Sequence, residues 1–154
     1  MQLFDLLFLL AVSTSTHAAE WQGSARVING DTLVLGEARL RLVSIDAPES
    51  AQTCRDAQGE SFACGRQATH ELERLIDGRD VRCAGDKRDR YGRALVVCHA
   101  GQVNLNAAMV QSGWAVAYLG PQFQGDEADA RLARRGLWAG DFTPPAEWRR
   151  QGAK

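Results

Sequence analysis

Apolar and polar residues alternate most regularly between Arg39 and Glu49, RLRLVSIDAPE. Leu40 and Leu42 alternate with Arg39 and Arg41, and β-branched Val43 and Ile45 continue the two-residue period of a strand with one face buried. The pattern stops at Asp46. Pro48 has no N–H and keeps Ala47 extended, so strand pairing cannot readily continue, and Asp46 and Glu49 are left three residues apart at a strand end. Upstream, Ser24 to Ile28 and Thr32 to Leu35 carry the same period. With Ala38 to Ile45 they predict a meander whose turns fall at Asn29-Gly30 and Gly36-Glu37. The first turn adds a third acid, Asp31, between two strands.

Beyond Glu49 the period changes. SAQTCRDAQGESFAC is polar and too irregular for a strand, and reads as a loop closed at its ends by Cys54 and Cys64. GRQATHELERLIDG places Ala68, Leu72, Leu75 and Ile76 on one helical face, with Gly78 as a left-handed stop. Asp80 to Cys83 and Ala94 to His99 read as strands flanking a long charged turn, AGDKRDRYGR. Asn104 predicts the cap of a helix carrying Leu105, Ala108 and Met109 and ending at Gly113, and a short strand is expected over Trp114 to Leu119. Asp126 opens a last helix, with acids in its first turn, Arg131, Arg134 and Arg135 toward its end, and Gly136 then Leu137 as its stop. The tail from Asp141, with Pro144-Pro145 and Trp148, reads as an extended strap or a loose end. No internal repeat or linker divides the chain.

Composition narrows the class. The 154 residues, 45% hydrophobic, suit one domain with its own core. Residues 3 to 12 are apolar but too short to span a bilayer, and the small polar run STSTHAA follows. This predicts a secretory signal peptide over 1–18, cut after Ala18, although the leader has no Lys or Arg and contains Asp5. A domain over 19–140 and a tail over 141–154 follow, in a periplasmic or secreted monomer with no membrane anchor once the leader is removed. Asp5 is the only charged side chain in the first 19 residues, so the remainder carries 18 bases against 19 − 1 = 18 acids. A neutral domain has no global field for polynucleotides, and any such binding needs a local patch. Lys occurs only at 87 and 154, so 18 − 2 = 16 of the bases are Arg. The guanidinium fork suits phosphate, though codon bias toward Arg explains the count equally well.

Four Cys without CxxC spacing, in an exported chain, read as two disulfides rather than zinc ligands. Three pairings are possible, of which the local one joins Cys54 to Cys64 and Cys83 to Cys98. Asp31, Asp46 and Glu49 are hard oxygen donors with no Cys or His beside them. They favour Ca²⁺ or Mg²⁺ over zinc, and calcium's looser geometry accepts a site of two carboxylates, a main-chain carbonyl and waters. His70 and His99 have no spacing that suggests a metal site or a nucleophile and base pair.

Four motifs in order, NGDT, RLVSIDAPE, DRYGRAL at Asp89 to Leu95 and NAAMVQSGWA at Asn106 to Ala115, resemble the thermonuclease (staphylococcal-nuclease-like) family over Ser24 to Trp138. The resemblance implies an α+β fold, a five-stranded OB-type β-barrel with three helices, and a calcium-dependent nuclease acting on DNA and RNA to leave 3′-phosphate ends. By the same resemblance Asp31, Asp46 and the main chain of Ala47 hold the metal. Arg41 and Arg93 grip the scissile phosphate, Glu49 is the general base, and Tyr91 and Tyr118 contact substrate. Two positions depart from the family: Ala47, where Thr is frequent, and Asn29, where an acid is usual. The main rival is a non-catalytic OB module that binds nucleic acid, which has no need of Asp31, Arg41, Asp46, Glu49 and Arg93 together. A protein using the site only for structural calcium is a third reading.

Overall fold

A computed structural model of the chain describes residues 17–152. The leader expected over 1–18 therefore lies, apart from His17 and Ala18, outside the described residues. The described residues begin with strands β1 (Ala19–Gly23), β2 (Ala25–Asn29), β3 (Thr32–Leu35), β4 (Ala38–Leu42) and β5 (Ile45–Asp46). Two short strands, β6 (Cys54–Arg55) and β7 (Ser61–Phe62), lead into helix α1 (Cys64–Ile76). Strands β8 (Val81–Arg88), β9 (Ala94–Ala100) and β10 (Val103–Asn104) precede α2 (Leu105–Gln111). Strand β11 (Val116–Ala117), α3 (Gln124–Leu132), a 3-10 turn at Gly136–Ala139 and α4 (Pro145–Gly152) complete it.

The main sheet runs in the order β1-β8-β9-β4-β3-β2, with β10 added to β9. Its neighbours are antiparallel except β4 and β9, which pair in parallel with Leu40 beside Ala94 and Arg41 beside Leu95. The sheet curls until β1 approaches β3. Alternation sends Leu33, Leu35, Leu40, Leu42, Val81, Val96, Cys98 and Ala100 into one core, where they are buried. Helix α1 adds Ala68, Leu72 and Ile76, and α2 adds Leu105, Met109 and Val110. Each large aliphatic side chain placed there contributes roughly 1.5–3 kcal/mol.

The α+β class is as expected, but the counts are not. Among the described residues the main sheet has seven strands rather than five, and there are four α-helices rather than three. The extra elements are β1 and β10 in the main sheet, the short β6–β7 hairpin inside the supposed loop, and α4 in place of a strap or loose end. Most are too short to show a period. The expected strand Ala38 to Ile45 splits at Ser44, whose φ of 63° turns the chain out of the main sheet. Its continuation, β5, pairs instead with β11, Asp46 facing Val116. Strand β8 runs much further than Cys83 because a bulge between Ala84 and Lys87 restores its pairing to β9, and the charged turn shrinks to Asp89–Arg93. The left-handed stop of α1 starts at Asp77, one residue before Gly78. Asn104 caps α2 as expected, accepting from the Ala107 N–H.

Both disulfides take the local pairing: Cys54 with Cys64, and Cys83 with Cys98, directly opposite each other on β8 and β9. Each stabilises by about 3 kcal/mol on the loop-entropy picture. No helix among the described residues is long and apolar enough to cross a membrane.

Candidate active site

The Asn29-Gly30 turn places Asp31 at the head of β3. The Asn29 side chain accepts the Asp31 N–H at 3.1 Å, and the Asp31 carbonyl accepts the Leu42 N–H at 2.8 Å. Gly30 is required by packing, because a Cβ there would press on Ala47 and Ala68. Asp31 is 3% exposed. One carboxylate oxygen accepts from the Thr32 hydroxyl and the Arg41 Nη1, both at 2.9 Å, and the other from the Ala47 N–H at 2.9 Å. Arg41 reaches this position because β3 and β4 set it opposite Thr32. Its other terminal nitrogen lies 3.4 Å from both the Asp46 Oδ1 and the Ile45 carbonyl. One guanidinium thus bridges two buried acids.

The electrostatics follow from that burial. Burial pushes the Asp31 carboxyl above the ordinary carboxylate range, and nearby Asp46 adds to this, while Arg41 and the Ala47 N–H oppose it. Burial alone would lower Arg41, but Asp31 and Asp46 together hold it above its usual value. Glu49 is more open. Its backbone sits on Gly65 at the start of α1, where a Cβ would overlap the Glu49 carbonyl, and its N–H donates to the Gln52 Oε1 at 3.3 Å. Gln52 is itself fully buried and donates to the Thr143 carbonyl at 2.8 Å, tying this segment to the chain before α4.

Helix α4 brings an unexpected member. Arg149 donates from Nη1 to Asp46 Oδ1 at 2.9 Å, from Nη2 to Asp46 Oδ2 at 3.0 Å, and from Nη1 to Glu49 Oε1 at 2.8 Å. The three bonds hold its guanidinium firmly in the charged form. Pro144-Pro145 ahead of Glu147 is a helix-start signal that could have revealed α4. Nothing local connects Arg149 with Asp46.

The structure therefore gathers Asp31, Arg41, Asp46, Ala47 and Glu49, with Arg149 added. Tyr118 borders the same place, in a cleft of about 520 Å³ that Asp46, Val116, Trp138, Phe142 and Pro144 also line. Arg93 and Tyr91 stand apart. They share a smaller depression of about 310 Å³ with Trp21 and Arg39, and no hydrogen bond or ion pair joins them to the acids among the described residues. Strand register relates the two groups. Carrying the alternation of β9 back one residue puts Arg93 on the face of Leu95, which pairs with Arg41. Arg93 is anchored by Asp89, whose carboxylate accepts from the Arg93 Nε at 2.7 Å and from the Tyr91 and Arg93 N–H groups at 2.9 and 3.0 Å. Burial would raise Asp89, but these donors outweigh it and hold the carboxyl below its usual range. Tyr91 is 69% exposed, with the Arg90 and Arg93 guanidiniums over its ring. His70 and His99 take no part.

No three His, Cys, Asp or Glu side chains among the described residues are close enough to hold a metal by themselves. The set fits a hard cation that accepts two carboxylates, Asp31 and Asp46, with main-chain oxygen and water making up the rest.

Residues 39–140 match the "Staphylococcal nuclease homologue" family. An "Uncharacterized endonuclease" of Escherichia coli O157:H7 is 36% identical over 162 residues, covering 97% of this chain and 98% of that one. A "Micrococcal nuclease" of Shigella flexneri is 36% identical over 153 residues, covering 86% and 82%. A "Succinoglycan biosynthesis protein ExoI" of Rhizobium meliloti strain 1021 is 38% identical over 96 residues, and this chain spans only 50% of its length. The class so defined is a phosphodiester-cleaving hydrolase. The chain belongs to the staphylococcal nuclease family.

Proposed function

We propose that the protein is an exported, calcium-dependent endonuclease that hydrolyses the phosphodiester bonds of DNA and RNA, leaves 3′-phosphate ends, and works as a monomer without a membrane anchor. The observation that carries this reading is the buried pair Asp31 and Asp46 bridged by Arg41, a charged arrangement that a folding core does not require. A binding module would have no use for it.

In this mechanism Arg41 and Arg93 hold the non-bridging oxygens of the scissile phosphate. Attack adds negative charge to those oxygens, and each such donor is worth about 3–4 kcal/mol in the transition state. The terminal nitrogens of Arg93 make no hydrogen bond among the described residues, since Asp89 engages its Nε. They are available to phosphate. Glu49 takes the proton of the attacking water, the new P–O bond forms, and the bond from phosphorus to the 5′ oxygen breaks, the departing 5′ oxygen taking a proton from water to leave as a hydroxyl. Asp31, Asp46 and the main chain of Ala47 would hold a calcium ion, which supplies charge neutralisation at the phosphate when bound. Tyr118, beside Asp46, and Tyr91, beside Arg93, contact the substrate on either side.

The test is cleavage of end-labelled single- and double-stranded DNA and RNA with Ca²⁺, Mg²⁺ or chelator, followed by phosphatase treatment of the products. Calcium-dependent cleavage to 3′-phosphate ends is expected. Binding without cleavage under every condition would replace the enzyme with the OB-type binding module.

A further inference from the structure

Helix α4 is attached to the fold mainly at the carboxylates of the site. Its start is seated by buried Pro145, and Trp148 is half-buried. Glu147 and Gln151 bond to each other. Apart from the Trp148 N–H, which donates to the adjoining Pro144 carbonyl at 2.9 Å, the hydrogen bonds from α4 to the rest of the described residues come from Arg149, and all three end on Asp46 or Glu49. An eight-residue helix has little stability of its own, so its docking depends on these contacts and on the Pro145 seat.

The contacts occupy the oxygens that a cation would need. Asp46 is 1% exposed, and both of its carboxylate oxygens already accept from Arg149, with Arg41 also facing Oδ1. The forked geometry is the strong, bidentate form of an Arg and carboxylate pair. Charge points the same way. Three acids, Asp31, Asp46 and Glu49, against two guanidiniums, Arg41 and Arg149, leave one net negative charge, and withdrawing Arg149 leaves two. The second balance is the better match for a divalent ion.

We propose that α4 is a latch on the site: the Arg149 guanidinium and a divalent cation compete for Asp46 and Glu49, so that metal loading and helix docking oppose each other. The inference rests on the metal reading of the site but goes beyond it. Pro144, Pro145 and Ala146, next to the latch, also line the cleft beside Asp46 and Tyr118. Release of Arg149 therefore frees Glu49 for its proton and loosens one wall of the cleft in the same movement. Calcium becomes both ligand and key.

Calcium binding to the full chain, followed by calorimetry at one ionic strength, tests this for the wild type, Arg149→Gln and Arg149→Lys. Arg149→Gln should bind calcium at least tenfold more tightly, with Arg149→Lys between it and the wild type. Hydrogen exchange of residues 145–152 in the wild type supplies a reading that needs no variant, and calcium should accelerate it. Equal or weaker calcium binding by Arg149→Gln would overturn the latch and make Arg149 a partner of the metal or of the phosphate. Slower exchange of α4 with calcium would overturn it too. If no protein binds calcium, the metal reading falls and the latch with it, whereas binding at one unchanged affinity removes the latch alone.

Discussion

Arg93 is held by Asp89, four residues earlier, through a 2.7 Å bond from its Nε, inside a turn that the same carboxylate closes by accepting two backbone N–H groups. The motif DRYGR therefore carries its own positioning device. Asp89 fixes the inner edge of the guanidinium, and the outer edge can meet phosphate.

The first prediction follows from that division. Arg93→Ala should lower kcat by roughly a hundred- to a thousandfold, the loss typical of a transition-state donor. Asp89→Ala should lose about tenfold, and much less when Arg93 is already Ala, because the two act as a unit. The pH dependence has a definite sign. The folded Asp89 carboxyl lies below the ordinary Asp value of 3.8, so its contribution to stability is fully present above that value and is lost as pH falls through the lower, folded one. The turn should therefore stay formed at pH values where an ordinary Asp is half protonated. Carboxylate NMR titration of Asp89 checks this, and an ordinary midpoint would contradict it.

Arg41 has a different position and a second consequence. It bridges Asp31 and Asp46, both almost fully buried, so Arg41→Ala removes a phosphate ligand and strips buried Asp31 of its ion pair, while Asp46 keeps Arg149. Turnover should fall at least a hundredfold, and the fold should also weaken by about 3–5 kcal/mol, as expected for breaking a buried pair. Arg41→Lys should recover some stability but little turnover, since an ammonium cannot span both acids. Urea denaturation beside a cleavage assay separates the two effects, and unchanged stability in Arg41→Ala would deny Arg41 the bridging role.

What could be read in the chain was whatever local chemistry specifies. Strand β3 was found at its full extent because its alternation is bounded by an Asn-Gly turn and a Gly-Glu turn, and α2 because Asn104 caps it. The disulfides were found because their partners are only 10 and 15 residues apart. The break at Ser44 was missed, since a positive φ there has no Gly or Asn to announce it. That break matters, because it carries Asp46 out of the main sheet and against β11. Arg149 was missed for a related reason. It meets Asp46 across 103 residues of chain, and a lone Arg in a polar tail resembles any solvated charge.

Asn29 supports a last prediction. Its side-chain oxygen accepts the Asp31 N–H at 3.1 Å, so it shapes the turn that presents Asp31. An Asp at this position can accept the same bond and suits the same turn, so Asn29→Asp should fold normally. What changes is charge. Asp31 is already pushed toward protonation by burial and by Asp46, and a further carboxylate two residues away adds to that repulsion. With chelator, Asn29→Asp should therefore melt at a lower temperature than the wild type. Calcium would turn the same charge into an advantage, because its affinity rises with the number of carboxylates around it. The calcium concentration giving half-maximal cleavage should then fall severalfold. Melting curves in chelator and calcium titrations of cleavage, run at one ionic strength, measure the two effects. A lower melting temperature with an unchanged calcium midpoint would confine Asn29 to the turn.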